Sequence, residues 1–263
     1  MDEIIHIGPW SVAGAAALII ANAVVSFWLR LGMEKKILVG AVRAVIQLIL
    51  LGYLLVPVFH FKHWGFVLGI ALVMVIVAAR ESVRRSKRTY KGAWWDMFVT
   101  LALATSVTSL FGTAVLVGVD PWWTPRYFIP LLGMLLGNVL NGITIGLDAT
   151  LRELDEGRSR IEGRLAFGAT WWEACQPAVA EAVRLAMMPT LNMMNVVGIV
   201  SIPGMMTGQL LGGTDPEIAA RYQILILFMI AATVAVGTVA SAIVSARRLF
   251  DDEHRLRLER LDP

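Results

Sequence analysis

An all-α, polytopic transmembrane helical bundle of about seven helices is the fold class this sequence predicts, N-terminus outside and C-terminus inside. Three observations carry that expectation. The chain is 57% hydrophobic and only 16% charged, where soluble domains carry roughly a quarter charged residues. Its charges are segregated, leaving apolar runs of about 18 residues or more, the length that crosses a hydrocarbon core at 1.5 Å per residue. Finally, its lysines and arginines fall almost entirely in alternate connections, as the positive-inside rule requires of a multi-span protein.

Taken in order, the spans fall at about 9–30, 37–59, 64–80, 95–119, 126–149, 184–211 and 221–246. The first begins in MDEIIHIGPW, which has no basic n-region, so residues 10–29 read as a retained helix and not as a cleaved signal. Nineteen Lys and Arg lie on the inner side with this topology: three from Arg30 to Lys36, six from Arg80 to Lys91, five from Arg152 to Arg184 and five from Arg247 to Arg260. Lys62, Arg126 and Arg221 are the three outside, and Arg43 lies within a helix. The Trp pairs at 94–95 and 122–123 suit the two interfaces. The net charge of +3 follows this topology and carries no signal for nucleic acid. One cysteine, Cys175, excludes an intramolecular disulfide and a cysteine metal cage. The whole chain, 1–263, reads as a single transmembrane domain at the plasma (inner) membrane, with one large non-membrane segment at about 150–183 and a short inner tail at 247–263.

Residues 150–183 begin with charges at helical spacing, LRELDEGRSRIEGR, and continue into a short amphipathic element in which Gly168 makes a break before Trp171, Trp172 and Glu173. A glycine turn, aromatics and a glutamate suit docking to another protein. A helix lying on the membrane surface has the same composition.

The string EGRLAFGAT at 162–170, followed by Pro189, resembles the EAA-type coupling loop of ABC-transporter permeases, in which a glutamate precedes a glycine by six positions. It departs from that pattern in having Gly163 and Arg164 after Glu162. The strings MEKKIL (33–38), RAVIQLILLGYLL (43–55), IPLLGMLLGN (129–138) and VGIVSIPGMMTGQLLGGTDPEIAARYQI (197–224) are similar to the FetB-type iron-export permease family, itself similar to plant aluminium-tolerance membrane proteins. The resemblance runs from about residue 33 to residue 230. It implies the membrane-spanning permease half of an ABC transporter that exports iron or a related metal ion. It further implies a cytoplasmic ATPase partner that holds the ATP, a homodimer within a two-plus-two complex, and a cytoplasmic coupling loop between the fifth and sixth helices. Glu162, Gly168, Ala169 and Thr170, with Glu173 beside them, take the coupling role. The chain has no G-x-x-x-x-G-K-[ST] phosphate loop, so it binds no cofactor of that kind and is not itself the ATPase.

Polar residues inside the spans are the candidates for a translocation path. Arg43 and Gln47 share a face of the second helix at i, i+4. Arg43 is either a gate or ion-pair residue or a side chain that snorkels to the nearby interface. In the fifth helix GMLLG (133–137) and GITIG (142–146) are close-packing spacings on different faces, so that helix is expected to be packed on more than one side. Asn138, Asn141 and Asp148 form one stripe, and Asn192 and Asn195 form another on the sixth helix. Either the two stripes face each other and line the route, or the asparagines are interhelical hydrogen-bond donors and acceptors. Asp148 is placed at the cytoplasmic mouth.

Six of the twelve methionines lie between 187 and 206. Met193, Met194, Met205 and Met206 are soft-metal ligand candidates, in keeping with the preference of thioethers for Cu(I). The alternative is adaptable apolar filling. His60 and His63 are a weaker pair at the outer end of the second helix. SIPGMMTG interrupts the sixth span, and broken helix in lipid is tolerated only where protein buries it or it lines a cavity. Pro189, Ser201, Pro203 and Gly204 therefore read as a hinge, or as a static kink. Thr214–Glu217 is a helix start capped by Asp or Thr. Besides the ABC permease, two other classes stand: an ATPase-independent channel or secondary transporter, and a membrane-embedded enzyme. The last lacks H-E-x-x-H and G-x-S-x-G.

Overall fold

The structure, a computed structural model, describes residues 8–61 and 63–262. The described residues are helical apart from loops, two isolated bridges and a two-residue antiparallel pairing, and they divide into two compact units: one holds 8–61 with 211–213, the other 63–210 and 214–262. Lys62 lies outside the described residues.

The first unit is a helical hairpin of α1 (Pro9–Trp28) and α2 (Glu34–Phe61). Pro9 starts α1 at a position where its missing N–H costs nothing. The connecting turn uses left-handed backbone at Arg30 and Gly32, and the Met33 amide donates to the Ser26 hydroxyl at 3.2 Å. Only 11% of the apolar window of α1, and none of that of α2, is buried. Helices this apolar and this bare suit a surrounding of lipid or of other protein.

The second unit is built around α5 (Pro125–Glu156), which packs against α9 (Pro216–Arg248), α7 (Trp171–Val196), α3 (Trp64–Arg85) and α4 (Ala93–Phe111). Its central position follows from its glycines. A Cβ on Gly142 would lie 2.8 Å from Thr238 Cγ2 and 2.9 Å from Val234 Cγ1 of α9, and one on Gly146 would touch the Ala186 methyl of α7. On the opposite side of the contact Gly237 of α9 leaves room for Val139. Gly133 faces Met74 of α3, so the two G-x-x-x-G spacings do serve different neighbours. Gly137 meets nothing. A π-helical turn, Gly112–Leu116, continues α4, and Gly112 lets Met229 of α9 approach the backbone.

Six helices are long and apolar enough to span a membrane among the described residues: α1, α2, α3, α4 with its π turn, α5 and α9. The expected sixth span, 184–211, is not one helix. It is divided between α7, a loop at 197–203, and the eight-residue α8 (Gly204–Leu211). At 26 residues α7 is about 39 Å long, but Glu181, Arg184, Asn192 and Asn195 dilute its hydropathy. It runs unbroken through Pro177 and Pro189. The chain break lies further on, where Gly198 adopts φ +83° and its amide donates to the Ser201 carbonyl at 2.9 Å. Asp215, and not Thr214, caps α9, accepting the Glu217 amide at 2.9 Å with Pro216 behind it.

The basic connections within the second unit, 80–91, 152–184 and 247–260, meet at one of its ends. Asp148 of α5 accepts the Lys87 amide at 3.0 Å, and Arg88 lies 3.4 Å from Asp155. Strand β1 (Thr89–Tyr90) pairs with β2 (Leu261–Asp262) at the far end of the chain. Arg248 at the close of α9 makes a two-pronged ion pair with Asp96 in the first turn of α4, at 2.8 and 2.7 Å. Tyr90 donates its hydroxyl to the same carboxylate at 2.9 Å, and burial pushes this phenol far above its ordinary range.

Candidate functional site

The segment predicted to couple to a partner occupies this basic end. The last two turns of α5 carry Arg152, Glu153, Asp155 and Glu156, charges that lift the following α6 (Arg158–Ala166) clear of the apolar span. Gly157 makes the corner: a Cβ there would sit 2.5 Å from the Glu153 carbonyl oxygen. Glu162 is exposed on α6 and accepts from Arg158 Nε at 2.8 Å, so the carboxylate already has a partner within its own helix. Gly168 holds φ +87°, a left-handed conformation that L side chains rarely adopt, and reverses the chain between α6 and α7. Ala169 follows, half-buried.

Thr170 and Glu173 form a capping box at the start of α7. The Thr170 hydroxyl oxygen accepts the Glu173 amide at 3.3 Å, and the Glu173 carboxylate accepts the Thr170 amide at 2.8 Å. The Thr170 amide, followed by its hydroxyl, holds the Glu173 carboxyl below the ordinary range. Glu173 thus has a local structural duty that its position near Glu162 does not disclose. Thr170→Ala is expected to lower stability by about 1 kcal/mol, read as a fall in the thermal midpoint in detergent. A lowered carboxyl pKa adds stability above the unfolded value and loses it as pH falls, so the cost of Thr170→Ala should shrink on acidification.

Of the aromatics expected to be exposed here, Trp171 is half-buried. It packs on Phe250 with centroids 6.1 Å apart and lies under the Arg247 guanidinium at 5.5 Å. Trp172 is exposed as expected, and Phe167, beside the Gly168 turn, is barer still at 95% exposed. Its apolar neighbourhood in sequence gave no reason to separate it from core residues; only the turn shows it projecting outward. Cys175 is buried, and burial pushes its thiol up to about 11.

The residues predicted to line a path are divided between the two units. Arg43 and Gln47 lie on the bare surface of α2 in the first unit. Asn138 is half-buried and donates its amide to the Met134 carbonyl at 2.8 Å, a bond within its own helix. Asn141 is exposed on α5, and Asn192 and Asn195 are exposed on α7. Gly142 and Gly146 of α5 pack against Ala186 of α7. Asn141, Asn192 and Asn195 are thus left exposed by the second unit, whereas Asn138 and Asp148 are partly covered. Asp148 is half-buried and closes the α3–β1 connection through the Lys87 amide.

The hinge residues separate likewise. Pro189 is inside a continuous α7, while Ser201 and Pro203 belong to the loop and Gly204 opens α8. The Thr207 amide donates to the Pro203 carbonyl at 3.0 Å, so Pro203 stands where a cap would. Ile199, Val200 and Ile202 in this loop are largely exposed. Met193 and Met194 end α7 and Met205 and Met206 begin α8, all half-buried. His63 accepts the Gly65 amide through Nδ1 at 3.1 Å and caps α3. Among the described residues no group of three His, Cys, Asp or Glu could hold a metal ion.

Comparison with known proteins gives one consistent answer. Residues 9–250 match the family described as Uncharacterised protein family (UPF0014). The chain is 34% identical to UPF0014 membrane protein YjkA of Bacillus subtilis, over 86% of this chain and 89% of that one. It is 30% identical to the Probable iron export permease protein FetB of Escherichia coli, over 95% of each. It is 28% identical to Protein ALUMINUM SENSITIVE 3 of Arabidopsis thaliana, over 93% of this chain and 88% of that one. No solved structure matches it. With six spanning-length apolar helices and a match over nearly its whole length, this chain is a multi-pass membrane protein and belongs to the UPF0014 family.

Proposed function

We propose that this protein is the permease subunit of an ABC transporter that exports iron or a related metal ion, powered by a separate cytoplasmic ATPase. The observation that carries the reading is the α6–Gly168–α7 corner: a short helix set beyond the apolar span, ended by a left-handed glycine, with Phe167 presented bare at the turn. The relative named as an iron export permease supplies the substrate class. The basic end is then cytoplasmic, in keeping with the positive-inside rule.

The mechanism follows from the connections of that corner. The partner ATPase grips α6 and the Gly168 turn. The capping box fixes the turn to α7, and α7 continues without a break through Pro189 to Val196. A push at the turn is therefore passed along one continuous helix about 39 Å long. Its far end meets the glycine-containing loop 197–203, where the chain is free to change direction. In the second unit the open faces carrying Asn141, Asn192 and Asn195 are the polar surfaces left for the route and for a second copy of the chain; in the first, Arg43 and Gln47 are exposed on α2. Met193, Met194, Met205 and Met206 flank the loop at its two ends and supply soft contacts for a metal in transit.

Glu162→Ala and Gly168→Trp are the decisive variants. Each is expected to reduce transport to background while membrane insertion and yield stay near wild type. Glu162 contributes only one exposed ion pair; at Gly168 nothing stands within 4 Å of a Cβ, so the indole has room, and φ +87° confines the cost of Trp to local backbone strain of about 1–2 kcal/mol. Co-purification of the tagged chain from its host should bring down a stoichiometric ATP-binding subunit. Unchanged transport in both variants, or a chain that purifies alone where other transporter complexes survive, would favour an ATPase-independent channel or secondary transporter.

A further inference from the structure

We infer that the C-terminal tail, residues 249–262, is the second half of the partner-docking surface, so that the ATPase grips a cleft and not a single coupling helix. The inference rests on the permease reading above. A cleft of about 470 Å³ separates the two halves: Glu162, Leu165, Gly168 and Ala169 form one wall, and residues 253–256 form the other. Phe167 stands bare on the first half.

The tail is a built structure. Phe250 pairs with Leu256 in an antiparallel bridge, and the Arg257 amide donates to the Leu249 carbonyl at 2.7 Å. The Asp251 carboxylate accepts the amides of Arg255 and Glu253 at 2.8 and 3.0 Å and Arg257 Nε at 2.9 Å; these donors, the Arg255 amide first, hold its carboxyl below the ordinary range. Leu249 and Phe250 are buried, and the end of the chain is pinned by the β1–β2 pairing. The tail is also tied to the coupling corner itself. His254 adopts φ +61°, a strained conformation for a side-chain-bearing residue, and its Nδ1 accepts the Trp171 amide at 3.4 Å. Trp171 is the first residue after the Thr170 cap, so the tail grips α7 at the point where the Gly168 turn enters it.

The chemistry of the cleft selects the occupant. Leu165, Ala169 and Leu256 are apolar, and Glu162, Glu253 and Arg255 place both signs of charge around them. An apolar centre with a mixed polar rim is the composition of a protein interface. An anionic membrane surface attracts a basic, single-sign cluster instead. The charged last turns of α5 separate this end from the apolar span.

The experiment uses the full-length chain and its complex with the ATPase. Ala166→Cys probes the coupling half, Glu253→Cys the tail half, and Glu217→Cys, at the start of α9, is the control. The native Cys175 is buried with a raised thiol pKa and stays unlabelled. Maleimide labelling of both Ala166→Cys and Glu253→Cys should slow about tenfold in the complex, since side chains inside an interface are shielded from solvent, with the control unchanged. Protection at 166 with free labelling at 253 overturns the tail's role and leaves the permease reading standing. Protection at 253 alone overturns a shared cleft. Slowed labelling on reconstitution into lipid without the ATPase assigns the surface to the membrane and overturns the inference. Labelling unaffected by the ATPase at both positions overturns the permease reading and this inference together.

Discussion

Arg248→Ala should lower the stability of the detergent-solubilised protein by about 3 kcal/mol, seen as a fall of about 8 °C in its thermal midpoint. The Asp96 carboxylate is only 9% exposed, and Arg248 supplies both of its charge-assisted bonds, at 2.7 and 2.8 Å. Tyr90 supplies one neutral bond and cannot balance the charge. Truncating Arg248 strands the anion at the head of α4. The guanidinium itself is 56% exposed, and solvent screening keeps the expected loss at the lower end of the range for buried pairs. Combining Arg248→Met with Asp96→Asn removes both charges and should recover most of the loss. An unchanged midpoint in Arg248→Ala would show that water reaches Asp96 and that α4 and α9 are held without this pair.

Gly237→Leu is expected to cost a similar amount, about 3 kcal/mol, by a different cause. A Cβ at Gly237 would sit 2.4 Å from Val139 Cγ2 and 3.5 Å from Ile143 Cδ1, and both side chains are fully buried in α5. No rotamer of a larger residue avoids them, so α9 must move off α5 along the contact that centres the unit. Val139→Ala empties the space and should restore part of the stability in the double variant. That rescue separates crowding from any loss of backbone freedom. If Gly237→Leu unfolds at the wild-type temperature, α5 and α9 are not packed as described.

Much of this protein is legible along its chain because the determinants are local. Apolar runs bounded by charges mark six spans to within a few residues at most ends. A glycine following a short charged helix marks the turn at Gly168, which the fold shows to be left-handed, whereas the capping box of Thr170 and Glu173 is passed over in favour of their coupling role. The glycine spacings of α5 announce close packing, although only the fold shows that Gly137 packs against nothing.

The remainder was decided by contacts between residues far apart in sequence. Asp96 and Arg248 are separated by 152 positions and the paired residues Tyr90 and Leu261 by still more, so no periodicity links them. Trp171 looked exposed until Arg247 and Phe250 covered it, while Phe167, equally apolar, was left bare. The long sixth span was expected because composition averages over 184–211. The chain instead breaks at Gly198, where a left-handed residue and local hydrogen bonds satisfy the backbone in place of the helix. Sequence alone thus determines which segments are long and apolar enough to span a membrane, since that depends on the length and polarity of each segment by itself. Which segments meet at the basic end, and so what a partner can grip, is set by tertiary structure, because an ion pair, a ring contact or a strand pairing exists only once the helices that carry it have packed.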